Sequence, residues 1–182
     1  MIKNTIKIAL VGQPNVGKSM LINSISNARL KVGNFSGVTV SKEQVFFDYK
    51  NFHIEIVDLP GAYSLNDYTI EEKVTKDFLN NEKYDIILNV LDSTNLQRNL
   101  LLTAELLTLD KKMIIALNMS DEAEKESILI DEIQLSKILG KPCIKTSAAK
   151  KNGITKLLDE ILLKFQSQKV PKKFFFSNVK EK

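Results

Sequence analysis

Gly12-Gln13-Pro14-Asn15-Val16-Gly17-Lys18-Ser19 is the stretch whose reading decides the fold. Its pattern, G-x-x-x-x-G-K-[ST], follows an apolar run at residues 6–11 and opens a helical pattern. That context separates a phosphate cradle from an ordinary glycine turn. Backbone N–H groups of residues 12–19 are expected to close around a β-phosphate, helped by the positive end of the helix that follows. Lys18 is expected to reach the β- and γ-phosphates. The Ser19 hydroxyl is expected to bind Mg²⁺.

Outward from the cradle, apolar runs alternate with helical periodicity. Strands are expected at residues 6–11, 45–49, 53–57, 85–91, 112–118 and 142–146. Helices are expected at 17–27, 69–79, 95–109, 130–139 and 154–168, with 30–40 as a loop. Such alternation implies an α/β fold: six strands, mostly parallel with one antiparallel edge strand, and helices on both faces. Ligands of open α/β sheets sit beyond the carboxyl ends of the strands, and each remaining motif falls just after an expected strand.

Asp58-Leu59-Pro60-Gly61 follows the second strand of the 45–57 pair. An Asp there holds Mg²⁺ through water, and the glycine N–H senses a γ-phosphate. Asn118-Met119-Ser120-Asp121 follows the 112–118 strand. Its Asp121 carboxylate suits guanine, which offers N1–H and an exocyclic amine, and a site built for those donors rejects adenine. Thr146-Ser147-Ala148-Ala149 supplies a supporting base-contact loop. Thr39, in Gly37-Val38-Thr39, completes the Mg²⁺ shell while the γ-phosphate is present and lets go after hydrolysis. Together these motifs describe a Ras-like GTPase domain over residues 1–168 that binds GTP or GDP with Mg²⁺. The catalytic candidates are Lys18, Thr39 and Asn15.

Composition narrows the alternatives. With 43% hydrophobic and 26% charged residues, the chain has the makeup of a globular domain. No apolar run reaches membrane-spanning length, and the N-terminus lacks the pattern of a signal peptide. One histidine and one cysteine leave no material for a His/Cys metal cluster, and the lone Cys143 fits a reducing compartment. The net charge of +4 is carried by five lysines and one glutamate in residues 169–182. The body is therefore neutral overall, and nucleic acid is not an expected partner.

The quoted motifs resemble the N-terminal G domain of the bacterial ferrous iron transport protein B family over roughly residues 5–165. The resemblance rests on Gly12-Gln13-Pro14-Asn15, on the 32–40 segment Val-Gly-Asn-Phe-Ser-Gly-Val-Thr-Val, and on Asp58-Leu59-Pro60-Gly61-Ala62-Tyr63-Ser64-Leu65. It rests also on Asp92-Ser93-Thr94-Asn95-Leu96-Gln97-Arg98-Asn99-Leu100 and on Ala116-Leu117-Asn118-Met119-Ser120-Asp121. Met119 stands where most GTPases carry Lys, and Phe35 where the family more usually has Trp. The resemblance implies a regulatory GTPase at the cytoplasmic face of the bacterial inner membrane. Its partner would be a membrane-spanning iron-permeation domain outside this chain, and self-association is a further possibility. It also implies a K⁺ ion held by Asn15 with the carbonyls of Gly33 and Phe35. Residues 169–182 are then a basic tail leading toward a helical domain, and Phe174-Phe175-Phe176 belongs to that tail. The runner-up is a free-standing ribosome-assembly or RNA-modification GTPase, a group that shares the loop asparagine but usually carries a basic surface. A non-hydrolysing nucleotide-dependent docking module is a third class, separated by a turnover assay.

Slow turnover is expected as well. The residue after the Gly61 position is Ala62, whose methyl cannot orient a water as glutamine does in Ras-like enzymes. The two arginines, Arg29 and Arg98, lie in neither position expected of an arginine finger.

Overall fold

The structure is a computed structural model that describes residues 4–25 and 28–167. Its centre is β1 (Asn4–Gly12), an apolar run hydrogen-bonded on both sides and covered on both faces. Ile6, Ile8 and Leu10 point into one core cluster, and Ala9 and Val11 into the other. This is the sequence signature of a strand buried in a parallel sheet. Next come α1 (Lys18–Asn23), β2 (Arg29–Asn34), β3 (Ser41–Tyr49) and β4 (Phe52–Asp58). They are followed by α2 (Ile70–Asn81), β5 (Ile86–Asp92), α3 (Leu96–Leu107) and β6 (Met113–Asn118). The chain closes through α4 (Ser120–Lys125), α5 (Glu132–Leu139), β7 (Cys143–Lys145) and α6 (Ile154–Gln166).

The strand order is β2-β3-β4-β1-β5-β6-β7. β4, β1, β5, β6 and β7 run parallel, while β3 is antiparallel to both β2 and β4. α1 and α6 cover one face, with Leu157, Leu158, Ile161 and Leu162 of α6 in the core. α2 and α3 cover the other through Val74, Phe78, Leu102 and Leu106. Helices α2 and α5 are capped by side chains. Thr69 accepts the N–H of Glu72 at 3.1 Å, and Asp131 accepts those of Ile133 and Gln134.

The α/β class and the two-sided helical cover agree with the sequence reading. The strand count does not: the sheet has seven strands. The extra one is β2, in the segment read as a loop. All six of its residues are exposed, so no buried face writes an alternating pattern into the sequence. α4 was likewise unread, because Ala123 is its one buried apolar residue. The tail 169–182, including Phe174–Phe176, lies outside the described residues. Among those described, no helix is long and apolar enough to cross a membrane.

Candidate functional site: a nucleotide cleft at the sheet's carboxyl edge

The strands β1, β4, β5 and β6 deliver their C-terminal loops to one edge of the sheet. The loop after β1 turns into α1 through Asn15 and Gly17, both at positive φ (66° and 89°). Gly17 is required there. A Cβ would meet Asn118 Nδ2 at 2.5 Å, and the left-handed backbone already disfavours side chains. Asn15, Val16, Gly17, Lys18, Ser19, Met20, Asn23 and Met119 line an open cavity of about 540 Å³. The 12–19 loop and the residue after Asn118 thus share one wall. Gln13 does not face this cavity. Its side chain is buried and donates to the Arg98 carbonyl at 2.8 Å. Val16 is buried and Pro14 half-buried beside it.

One end of the cleft is knit by Asn118. Its Nδ2 donates to the Val16 carbonyl at 2.9 Å, while Oδ1 accepts the Thr146 hydroxyl at 3.2 Å and the Ala148 N–H at 3.1 Å. One side chain therefore ties the phosphate loop, β6 and the 146–149 loop together, and Ser120 N–H adds a bond to the Thr146 carbonyl. Met119 takes a left-handed backbone (φ 58°) as the N-cap of α4, which presents Asp121 one residue inside that helix. The Ser147 hydroxyl holds the Asp121 carboxyl below the usual range. The N–H groups of Asp121 and Glu122 and the Lys150 ammonium, 4.0 Å away, act in the same direction against burial. Asp121 is therefore an ionised hydrogen-bond acceptor at neutral pH. Ala149 is exposed beside Lys150. Lys150 escaped the sequence reading although it directly follows the 146–149 motif.

At the opposite end Asp58 closes β4. Lys18, Ser19, Ser41, Glu43, Asp58, Leu59, Pro60 and Gly61 line a second cavity of about 180 Å³. Lys18 Nζ lies 3.8 Å from Asp58 Oδ1, which is buried and has no hydrogen-bond partner. Burial pushes the Asp58 carboxyl up to about 6. Lys18 pulls it down, and Glu43 pushes it up again. Glu43 is the register partner of Asp58 across β3 and β4, a pairing that sequence spacing does not reveal. An orphaned buried carboxylate oxygen beside a hydroxyl and a second carboxylate is the oxygen-rich donor set that suits Mg²⁺. Ser19 and Asp58 fit such an ion, with Ser41 and Glu43 as neighbours. The rest of the second loop packs inward: Leu59 and Ala62 are buried, and Ala62 N–H donates to the Gly12 carbonyl at 3.2 Å.

A family profile described as ferrous iron transport protein B matches residues 6–161, the span that holds the whole cleft. The chain belongs to the ferrous iron transport protein B family. It is similar to the Fe(2+) transporter FeoB of Campylobacter jejuni, with 53% identity over 177 residues, covering 97% of this chain and 29% of the relative. Similarity to the Fe(2+) transporter FeoB of Helicobacter pylori strain 26695 reaches 56% over 185 residues, with 96% and 29% covered. The chain thus spans about 29% of the length of these curated relatives. Among solved structures, the cytosolic domain of the T. maritima FeoB iron transporter in GDP form II superposes with a TM-score of 0.92 at 37% identity. That match covers 96% of this chain and 68% of the other. The isolated T. maritima FeoB G domain gives 0.84 at 39% identity, covering 90% and 100%. The fold is accordingly the Ras-like GTPase fold of the family's G domain.

The first-switch segment of this family member stands apart from the cleft. Gly33 is paired with Lys42 in the β2–β3 ladder. The Phe35 ring is buried edge-on against Phe78 at 6.2 Å, and its carbonyl accepts Val38 N–H at 3.3 Å. Val38 packs at the edge of the same core cluster. Gly37 takes a left-handed backbone (φ 75°) and Thr39 is exposed. Thr39 does not line the Asp58 cavity, and Asn15, Gly33 and Phe35 do not line a common one. Of the arginines, Arg98 stacks on the Tyr63 ring at 4.8 Å, and Arg29 is on the exposed strand β2. Cys143 is buried with its thiol pushed up to about 11 by burial, which makes it an inert core residue.

Proposed function

We propose that this domain binds GTP and GDP with Mg²⁺ and hydrolyses GTP slowly, acting as the nucleotide switch of a ferrous iron transporter. The observation that carries the reading is the Asn118 bracket, which fixes an ionised guanine acceptor, Asp121, against a phosphate loop presenting Lys18 and Ser19. Guanine reading rests on Asp121, with Ser147 holding its charge. The phosphates belong to the backbone N–H groups of residues 15–19 and to Lys18. Ser19 and Asp58 would hold Mg²⁺, with Thr39 joining from the first switch. The ion would neutralise charge on the β- and γ-phosphate oxygens. Solved T. maritima relatives include a GDP form and a GMPPNP form, which supports a guanine-nucleotide ligand here.

Two features favour slow turnover. Ala62 offers no polar side chain to a water, and its own N–H is engaged by Gly12. No arginine lies free at the cleft, since Arg98 is stacked on Tyr63. A K⁺ ion at Asn15 would supply the missing positive charge. Asn15 is exposed at the cavity mouth in a left-handed backbone, and that ion would take the carbonyls of Gly33 and Phe35 once Gly33 leaves its pairing with Lys42 and the 35–39 turn follows. The transporter's permeation portion is the expected partner, reached through the tail 169–182 at the cytoplasmic face of the membrane.

The test is a competition titration of GTP against ATP, with wild type and Asp121→Asn. The expected result is GTP preference in the wild type by roughly a hundredfold or more, and a shift toward xanthosine nucleotides in the variant. Equal ATP and GTP affinities would overturn the reading.

A further inference from the structure

The 62–68 segment, which follows the γ-phosphate-sensing Gly61, is neither helix nor strand, and its backbone is held by side chains. Ser64 N–H and the Ser64 hydroxyl donate to Glu72 Oε1 at 3.3 and 3.4 Å, and Tyr68 N–H donates to Glu72 Oε2 at 3.2 Å. Glu72 belongs to α2, the helix the segment runs into, so this first carboxylate is a local cap. The second is different in kind. Leu65 N–H donates to Glu105 Oε2 at 2.7 Å, across forty positions of sequence. A short bond from a backbone N–H to a carboxylate is among the stronger neutral-to-charged contacts.

Glu105 lies on α3, and α3 is anchored to the phosphate loop at two further points. Gln13 Nε2 donates to the Arg98 carbonyl at 2.8 Å. Thr103, fully buried, donates its hydroxyl to Asn89 Oδ1 at 2.7 Å, and Asn89 Nδ2 donates to the Val11 carbonyl at 3.3 Å, one residue before the loop begins. The Arg98 side chain lies over Tyr63 at 4.8 Å. At Gly61 itself, a Cβ would fall 3.0 Å from Pro14 Cα, so the second switch and the phosphate loop touch without adhesive side chains between them. One backbone bond, Ala62 N–H to the Gly12 carbonyl at 3.2 Å, ties them beside Gly61, and the side-chain ties between them run through α3.

We propose that α3 is the clamp that registers the second switch against the phosphate loop, and that Glu105 is its positioning residue. Glu105 lines neither the cradle cavity nor the Asp58 cavity. It fixes the 62–65 stretch at its downstream end, with the Ala62–Gly12 bond at its upstream end, so that Gly61 N–H is presented to a γ-phosphate from a stretch tied at both ends. This rests on the hydrolysis proposed above, and it predicts a division of effects: loss of the clamp slows hydrolysis but spares GDP affinity, because the base-reading end is built by Asn118 and does not depend on α3.

The experiment compares wild type, Glu105→Ala, Glu105→Gln and Arg98→Met by three readouts: amide hydrogen exchange at Leu65, GDP affinity and single-turnover GTP hydrolysis. In Glu105→Ala the Leu65 amide should exchange at least tenfold faster, and hydrolysis should fall roughly three- to tenfold, the loss expected for one hydrogen bond. GDP affinity should stay within twofold. Glu105→Gln keeps an acceptor oxygen and should restore both rates to near wild type. Arg98→Met, which keeps the fold's contacts but removes the Tyr63 stack, should slow hydrolysis less than Glu105→Ala. Unchanged Leu65 exchange in Glu105→Ala overturns the clamp, whatever the hydrolysis does. So does accelerated exchange with unchanged hydrolysis, or a parallel loss of GDP affinity. If the wild type itself hydrolyses no GTP, the functional reading fails, while the exchange and GDP arms still decide whether the clamp exists.

Discussion

The two ends of the nucleotide cleft are built on opposite principles. At the base end every polar group at the core of the site has a partner within the chain: Asn118 uses both its donor and its acceptor, and the Asp121 charge is held by Ser147. At the phosphate end a buried carboxylate oxygen of Asp58 goes unpartnered, and the first switch lies in a ladder away from it. Satisfied polar networks rigidify, and unsatisfied ones mark places where free energy is stored. On the proposed function, the contrast separates the cleft into a fixed half that would select the base and an incomplete half that would respond to γ-phosphate and metal.

The sharpest way to break this contrast is to unmake the fixed half. Asn118→Ala removes three bonds that join the phosphate loop, β6 and the 146–149 loop, and leaves the Val16 carbonyl and Ala148 N–H unpaired. GDP affinity should fall roughly a hundredfold or more, at about 1–1.5 kcal/mol per lost buried bond, as read by fluorescence titration. A loss confined to GTP would show that the base end is not the common anchor.

Thr39→Ala probes the responsive half. GDP affinity should stay within about twofold, while hydrolysis falls on the order of tenfold or more. Unchanged hydrolysis would remove the 30–40 segment from the γ-phosphate switch. A smaller effect is expected from the monovalent ion. Replacing NaCl by KCl at equal ionic strength should accelerate hydrolysis by roughly threefold to tenfold in wild type, and the gain should vanish in Asn15→Ala. A K⁺ effect that persists undiminished in that variant would detach it from Asn15.

The smallest effect sharpens the contrast within the free protein. Burial raises the Asp58 carboxyl from 3.8 to about 6, so the folded state disfavours its ionised form. Without nucleotide or metal, this group costs nothing below pH 4. It lowers stability progressively as pH rises from about 4 to about 6, and the cost then stays constant. Asp58→Asn should therefore stabilise the nucleotide-free, chelator-treated domain by about 1–2 kcal/mol at pH 7.5 and hardly at all at pH 4. Thermal melts at the two pH values check it. A variant less stable than wild type at pH 7.5 would mean that the Lys18 pair outweighs the burial.

What the sequence disclosed follows the same division. The cradle, the 58–61 turn and the 118–121 turn are contiguous, and each follows a strand whose apolar run is unmistakable, so fold and base end were legible together. Strand β2 was not, because an edge strand with six exposed residues has no core face to imprint on the pattern. Ser41 and Glu43 were missed for a related reason: they reach the Asp58 cavity through the β3–β4 register, in which Glu43 faces Asp58. Gln13 was read as a nucleotide contact, but the buried partner it finds, the Arg98 carbonyl, lies 85 residues away in sequence. Glu105 acts over a similar gap, and neither pattern nor spacing points to such a pair.

One feature of the sheet bears on how often such a domain can be cycled. β2 hangs from the sheet by a single ladder, to β3, and contributes no residue to either buried cluster. Peeling it away leaves both buried clusters and all five parallel strands in place. Were β2 to move with the proposed first switch, it would do so where motion and unfolding are uncoupled, like a hinged margin on a bound page. A domain made this way tolerates repeated opening without approaching the denatured state, and wear over many cycles falls on hydrogen bonds that solvent readily replaces.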